Sequence, residues 1–372
     1  MKNKYSLNEW AGALGDLGTF IPFVLGYITI ANIEPTGMLF SFGVMMICSG
    51  LFYKTPMPIQ PMKAIGGAAI AGGAAITPQI IWGAGLFTGV FWLFVGLSGA
   101  TRHICKIVSK PVIRGIVLGL GMAFMLEGIG RMKSEFLLGL VGLAIAFYLL
   151  ESRKFPAMFA LLILGFAFSL VKNPELLQSD WLKAEMRIPA FALKDMAWGD
   201  FVEGAILLGI PQIPLTLGNA IFALTAENNR LFPERPVTEK KISISHGVIN
   251  LFSPIFGGIP VCHGAGGLLG HTRFGAKTGG ALVILGSVTI LLAVFFGEAV
   301  VGILRMLPPS ILGVILFVAG IELAYSARDS GAEKSDFYVV LVTAAFGITN
   351  MGAGFLAGVI LDQMIKRKII RL

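Results

Sequence analysis

Charge is what this chain has least of. Only 13% of its 372 residues are charged, against 55% hydrophobic residues and a mean hydropathy of +0.81. An ordinary soluble domain carries about 25% charged residues. The composition therefore excludes a soluble protein with one anchor and predicts an integral membrane protein. Cysteine is nearly absent too. Cys48, Cys105 and Cys262 are scattered, so no disulfide framework follows. A metal centre needs three or four ligands. Cys262 and His263 have only His271 within plausible spacing, so neither a metal nor a cofactor is expected. The usual enzyme signatures are missing: no P-loop, no His-Glu-x-x-His, no Gly-x-Ser-x-Gly, no Cys-x-x-Cys. The reading is a membrane transporter rather than an enzyme. A net charge of +8 would suit nucleic acid, but the basic residues are spread among short loops. That is the positive-inside pattern, and nucleic acid is excluded as a partner. No cleavable leader is expected, because the apolar run after Lys2 and Lys4 is long enough to span and no typical cleavage site follows it.

What is plentiful is glycine, 48 residues in all, with 18 prolines. Both concentrate in the stretch from Pro56 to Gly73, P-M-P-I-Q-P-M-K-A-I-G-G-A-A-I-A-G-G. Pro56, Pro58 and Pro61 lack amide donors and push their predecessors toward extended geometry. From Met62 nothing but glycine opposes a helix, and membrane helices tolerate glycine. Sixteen helical residues would reach only about 24 Å, short of the roughly 30 Å of bilayer hydrocarbon. The helix must then start inside the membrane, near Lys63. Extended backbone at that depth survives only when buried in protein or lining a wet cavity. A half-helix start there presents free amides and the positive dipole end, which suits an anion.

A second copy follows about two hundred residues later, Gly258-Ile-Pro-Val-Cys-His-Gly-Ala-Gly-Gly267. Pro58 matches Pro260, and Gly66-Gly67 is paired with Gly266-Gly267. Two further anchors keep the same order: Ile21–Gly26 resembles Ile213–Gly218, and Pro111–Leu118 resembles Pro309–Leu316. The expected segments are 10–33, 36–53, 56–77, 79–101, 110–130, 135–150 and 155–171. After a polar connector at 173–198 come 199–226, 242–256, 258–277, 279–299, 303–326, 335–349 and 351–366. Seven segments per repeat is odd, so the second copy enters from the opposite side and forms an inverted repeat. With both termini cytoplasmic, inside loops and tails hold 21 Lys/Arg, outside ones 7, and Lys63 completes the 29. The bias fits both termini inside, in the plasma membrane (the inner membrane of a prokaryote). Inverted symmetry points both half-helix starts at one midplane cavity.

The residues that could carry chemistry cluster around those starts. Lys63 compensates an anion, snorkels to the surface, or pairs with an acid. Gln60 is a donor beside the helix start or a backbone cap. His263 donates to substrate, carries a proton, or is a buried histidine bonded to backbone. Asp16, in Gly15-Asp16-Leu-Gly18-Thr19, is a proton carrier, a partner to Lys63, or an interfacial cap. Asn219 is the counterpart of Tyr27; its amide faces the cavity or bonds across helices, as does that of Gln212. Glu127 and Glu322, late in segments 5 and 12, are candidates for coupling or gating. Arg273 and Lys277 read as a helix end.

Pro56–Lys63 and Ile259–Gly280 closely resemble the two signature motifs of the molybdate transporter family, a distant branch related to the sulfate permeases. Gly15–Thr19 and Ile213–Asn219 look like that family too, and the likeness covers most of the chain. It implies the all-α, seven-plus-seven inverted-repeat fold shared by sulfate and uracil permeases. Segments 1–4 and 8–11 (8–103 and 199–300) would form a substrate-carrying core. Segments 5–7 and 12–14 (104–172 and 301–367) would form a gate. The regulatory domain of typical sulfate permeases is not expected, since Leu372 lies a few residues past the last segment. The implied substrate is a tetrahedral oxyanion: molybdate, with sulfate or tungstate as relatives of it.

The expectation is secondary transport by core-against-gate alternating access, coupled to protons or another ion. The anion would sit between the half-helix starts. Amides near Lys63–Ala64 and Gly264–Ala265 would donate to it, with Gln60, His263 and Asn219 as side-chain donors. Met62, Cys262 and Tyr27 complete the expected substrate set; Asp16, His263, Glu127 and Glu322 form the coupling set. The expected partners are the oxyanion, protons, the lipid bilayer and a second copy of the chain in a homodimer. The rival on the same fold is a nucleobase (uracil or xanthine) permease, which would want acids in segments 8 and 10, where this chain has Asn219 and none. A second rival is an anion channel.

Overall fold

The computed structural model describes residues 2–100, 109–149, 157–174, 185–325, 327–328 and 333–370. The end of segment 4, Cys105, the link between segments 6 and 7, the Asp180–Trp181 part of the connector and the end of segment 12 lie outside the described residues. The first repeat contains α1 (Leu7–Ala13), α2 (Leu17–Thr29), α3 (Pro35–Tyr53), β1 (Gln60–Pro61), α4 (Lys63–Gly72), α5 (Pro78–Ser98), α6 (Lys110–Met132), α7 (Phe136–Leu149) and α8 (Ala157–Lys172). The second contains α9 (Trp198–Leu231), α10 (Glu239–Phe252), β2 (Val261–Cys262), α11 (Ala265–Arg273), α12 (Gly280–Met306), α13 (Pro309–Tyr325), α14 (Lys334–Thr349) and α15 (Met351–Lys366). Among the described residues, five helices are long and apolar enough to cross a bilayer, six if α1 and α2 count as one bent span.

Local chemistry sets the ends. Pro35 and Pro78 sit in the first turns of α3 and α5, where a missing amide costs nothing. Glu34 accepts from Thr36 and Gly37, and Thr77 from Ile80, capping those starts.

The inverted repeat is written in the helix crossings. On α3 and α12, Gly43 meets Gly286 and Gly50 meets Gly279. Rising numbers on one helix meet falling numbers on the other, so the pair is antiparallel and closely approached. The symmetry-related pair, α10 and α5, is antiparallel in the same way, with Gly89 against Leu251 and Gly96 against Ile244. The α6–α13 crossing maps onto itself: Gly121 meets Gly320 and Gly128 meets Gly313. At the centre β1 and β2 pair antiparallel, Gln60 opposite Cys262 and Pro61 opposite Val261. The Met62 amide adds a bond to Pro260 O at 2.9 Å.

Several expectations are corrected. Segment 1 is not one straight span; a turn at Leu14–Asp16 bends α1 against α2 by 51°. The first half-helix has ten residues, not sixteen. It ends where Gly73 takes φ +54°, a conformation L side chains rarely adopt. The half-helix caps are Met62 and Gly264. That spacing agrees with Pro58 and Pro260, so Gly266-Gly267 corresponds to Ala64-Ile65 rather than Gly66-Gly67. Helix α9 runs past 226 to Leu231 and survives Pro211 and Pro214 through wider π-type windings at Ala205–Gly209 and Thr216–Ala223. Helix α12 continues to Met306 across a break at Phe296, so segment 12 begins at Pro309 instead of 303.

The second extended piece depends on Asn250. Its side chain accepts from Val261 N at 2.8 Å and donates to Val261 O at 2.7 Å, standing in for a third strand. Asn250→Ala would leave two buried backbone groups unpaired, at about 1–3 kcal/mol each. The detergent-purified variant should melt several degrees below wild type; a melting temperature within one degree would refute this role.

Candidate anion site between two half-helix starts

The two pieces satisfy their backbones differently. Three prolines leave the first piece few amides to satisfy. The second keeps its amides, and α10 supplies the partners. His263 N–H donates to His246 Nε2 at 3.2 Å, while His246 Nδ1 faces Ile242 O at 3.0 Å. A carbonyl only accepts, so His246 carries its proton on Nδ1 and is neutral. Ser253 Oγ donates to Ile259 O at 2.7 Å.

A cavity of about 610 Å³ opens between the half-helix starts, α9, α6 and the end of α13. Lys63 and Gly266 reach it from α4 and α11, and Asn219 from α9. Lys110 and Arg114 line it from α6, with Lys110 exposed at the rim. Apolar Ile113, Val117 and Leu215 fill much of the remaining wall. Among the described residues, three cations and no acid line it. A low-dielectric wall with one sign of charge concentrates counter-ions of the other sign.

The expected residues divide into groups. Lys63 and Asn219 line the cavity directly. Gln60 stands beside them: its Nε2 donates to Asp16 Oδ1 at 2.7 Å, and its Oε1 lies against Gly264, where Asn219 Nδ2 also sits. Asp16 therefore pairs with Gln60, not with Lys63 as one reading had it, and its other oxygen lies against Gly267 in the first turn of α11. Tyr27 is fully buried. Its hydroxyl has no hydrogen-bond partner among the described residues and lies against Gly66 on α4.

Other expected donors are turned elsewhere. The Ala64 amide donates to Gln212 Oε1 at 2.8 Å, as does the Ile65 amide at 3.3 Å. His263 is a strut, not a cavity donor. Nδ1 faces Pro58 O at 2.8 Å and Nε2 faces Ser245 Oγ at 2.7 Å, so both ring nitrogens are engaged and the ring joins the two repeats. Cys262 is buried with its Sγ toward Pro61 O, and Met62 is a buried cap. Gly264 caps α11 and Ala265 opens it, beside cavity-lining Gly266. Glu127 pairs with Arg131 at 2.8 Å on the far part of α6, and Glu322 is exposed; neither reaches the cavity. Sequence reasoning missed Lys110 and Arg114. The signal was there: two cations four residues apart on one face of an otherwise apolar segment.

A family model described as "Molybdate transporter of MFS superfamily" matches residues 8–124 and 204–323. The chain is 32% identical to Molybdate transporter 2 of Arabidopsis thaliana over 421 residues, covering all of this chain and 89% of that protein. It is 31% identical to Molybdate transporter 1 of the same plant, covering 95% and 86%. Among solved structures, the transmembrane domain of the cyanobacterial bicarbonate transporter BicA superposes with a TM-score of 0.69 at 16% identity, over 95% of this chain and 97% of that one. Murine Slc26a9, an anion transporter in the inward-facing state, superposes with 0.69 at 13% identity, over 100% and 70%.

The hydroxyl of Tyr27 and the ring of His263 should respond oppositely to removal. Tyr27→Phe deletes an unpaired buried hydroxyl, a cost of about 1–3 kcal/mol, and should leave the melting temperature equal to or above wild type. His263→Ala empties a bridged, buried position and should lower it by several degrees. A Tyr27→Phe melting point well below wild type would show that the hydroxyl has a partner.

Proposed function

This chain belongs to the molybdate transporter family, and on that footing we propose that it is a secondary transporter for a tetrahedral oxyanion, molybdate first, with sulfate or tungstate as its congeners. The observation that carries the reading is the cavity at the paired half-helix starts, with Lys63, Lys110 and Arg114 in its wall and no acid among the described residues. A dianion leaving water loses several kcal/mol of hydration per charge. Cations and aimed helix dipoles offset that loss only if they face the same point. The nucleobase reading asks for acids that grip ring N–H groups, and the wall offers Asn219 instead.

The cavity has walls from both expected bodies, which supports a two-body mechanism. Lys63, Asn219 and Gly266 belong to the core, 8–103 and 199–300. Lys110, Arg114 and Leu323 belong to the gate, 104–172 and 301–367. An anion held by both bodies couples its own arrival to their relative position. Sliding core against gate alternates access. With both termini cytoplasmic, Lys110 at the start of segment 5 lies on the cytoplasmic side of the cavity.

Each charge carried into an inside-negative cell costs about 2.3 kcal/mol per 100 mV. Uptake of a dianion therefore needs a coupling ion, and we assign that role to protons. Asp16, bonded to the site residue Gln60 and close to the first turn of α11, is the carrier best placed.

Calorimetric titration of the purified protein with molybdate, sulfate and uracil tests the substrate. Molybdate should bind. Lys63→Ala and Arg114→Ala should each weaken it about ten- to a hundredfold, the worth of one hydrogen bond to a charged group. Uracil binding with the oxyanions silent would overturn the reading. In proteoliposomes, an inward proton gradient should accelerate molybdate uptake, and Asp16→Asn should abolish that acceleration. Wild-type rates indifferent to the gradient would remove proton coupling.

A further inference from the structure

The two half-helix starts share a fold and a symmetry, but they are not equally available. At α11, Gly266 opens onto the cavity. At α4, the Ala64 and Ile65 amides are already taken by one atom, Gln212 Oε1, at 2.8 and 3.3 Å. These are the second and third residues of the helix, the amides that a helix start has free for a ligand. Gln212 is 1% exposed, and its Nε2 donates to Thr216 Oγ1 at 2.9 Å, which fixes which end of the amide points at α4. Beside the same half-helix, the Tyr27 hydroxyl is buried against Gly66 and has no partner among the described residues. Two amides sharing one acceptor and a hydroxyl with none among the described residues thus meet at α4.

The backbone that carries Gln212 is itself unusual. It lies in a short α-wound stretch, Ile210–Leu215, between the π-wound turns Ala205–Gly209 and Thr216–Ala223. Pro211 and Pro214 remove amides from the helical ladder on either side of Gln212. Windings of this kind recur at functional sites, and they leave a helix free to re-register locally.

We propose that Gln212 is a tethered stand-in for the transported anion. In the empty carrier its amide oxygen fills the donors of the first half-helix, and an oxyanion arriving over Lys63 displaces it. The proposal rests on the oxyanion reading above and adds to it the residue that sets the threshold for binding. A neutral amide oxygen is a moderate acceptor, and that of Gln212 is already desolvated in the empty carrier. A ligand must be a better acceptor than that amide to replace it, and a dianionic oxyanion is. Displacement would release α9 from α4 and bring the donors of both half-helices onto one ligand.

The test is molybdate titration of wild type, Gln212→Ala and the near-isosteric Gln212→Met, with melting temperatures measured with and without molybdate. Two neutral hydrogen bonds compete with the ligand in wild type, so removing the competitor should raise molybdate affinity about five- to a hundredfold. The empty variants should melt lower than wild type, and molybdate should raise their melting temperature by more than it raises that of wild type. A Gln212 that is only a structural cap gives the opposite sign, because its loss loosens the site. Unchanged or weaker affinity in a cooperatively melting Gln212→Met, with wild type binding normally, overturns the proposal and leaves the transport reading intact. Wild type binding neither molybdate nor sulfate overturns the transport reading, and this proposal with it.

Discussion

Every unusual feature of this protein follows from placing non-helical backbone in the middle of a membrane. Hydrocarbon offers no hydrogen bonds, so each amide and carbonyl of the two extended pieces needs a partner within the protein. The first piece meets the demand by subtraction: Pro56, Pro58 and Pro61 remove three donors. The second meets it by supply: Asn250, His246 and Ser253 bond Val261, His263 and Ile259 from neighbouring turns. What remains is shared across β1 and β2. Two pieces related by symmetry thus reach the same geometry through different side chains.

That geometry fixes where the half-helices begin, and therefore where their dipoles point. Both starts converge because β1 and β2 pair antiparallel through Gln60 and Cys262. Symmetry alone would make the starts equivalent. Side chains make them different. Gln212 covers one, Gly266 exposes the other, and Gln60 hands its donor end to Asp16 while turning its acceptor end to Gly264.

The cations complete the picture from the opposite side. Lys63 rides on the half-helix, while Lys110 and Arg114 ride on α6, across the cavity. The acids are arranged around this. Glu127 is absorbed by Arg131, Glu322 is exposed, and Asp16 is bonded to Gln60 beside the cavity.

The sequence by itself determined the membrane class, the two broken segments, the inverted repeat and the family, because each rests on a local property. Proline removes a donor wherever it stands, and hydrophobic length is counted along the chain. Lys63, Gln60 and Asn219 were legible as neighbours of the half-helix starts for the same reason: each sits beside or opposite a break. Only the tertiary structure decided which polar groups face the cavity and which face one another. His263 looked like a donor and is a strut between Pro58 and Ser245. Gln212 looked like a minor amide and caps a half-helix 148 residues away in sequence. Arg114 was read only as part of an apolar segment and lines the cavity. A buried polar group takes whichever partner lies within about 3 Å, and that distance is set by the crossing of helices far apart in the chain, which no local pattern encodes.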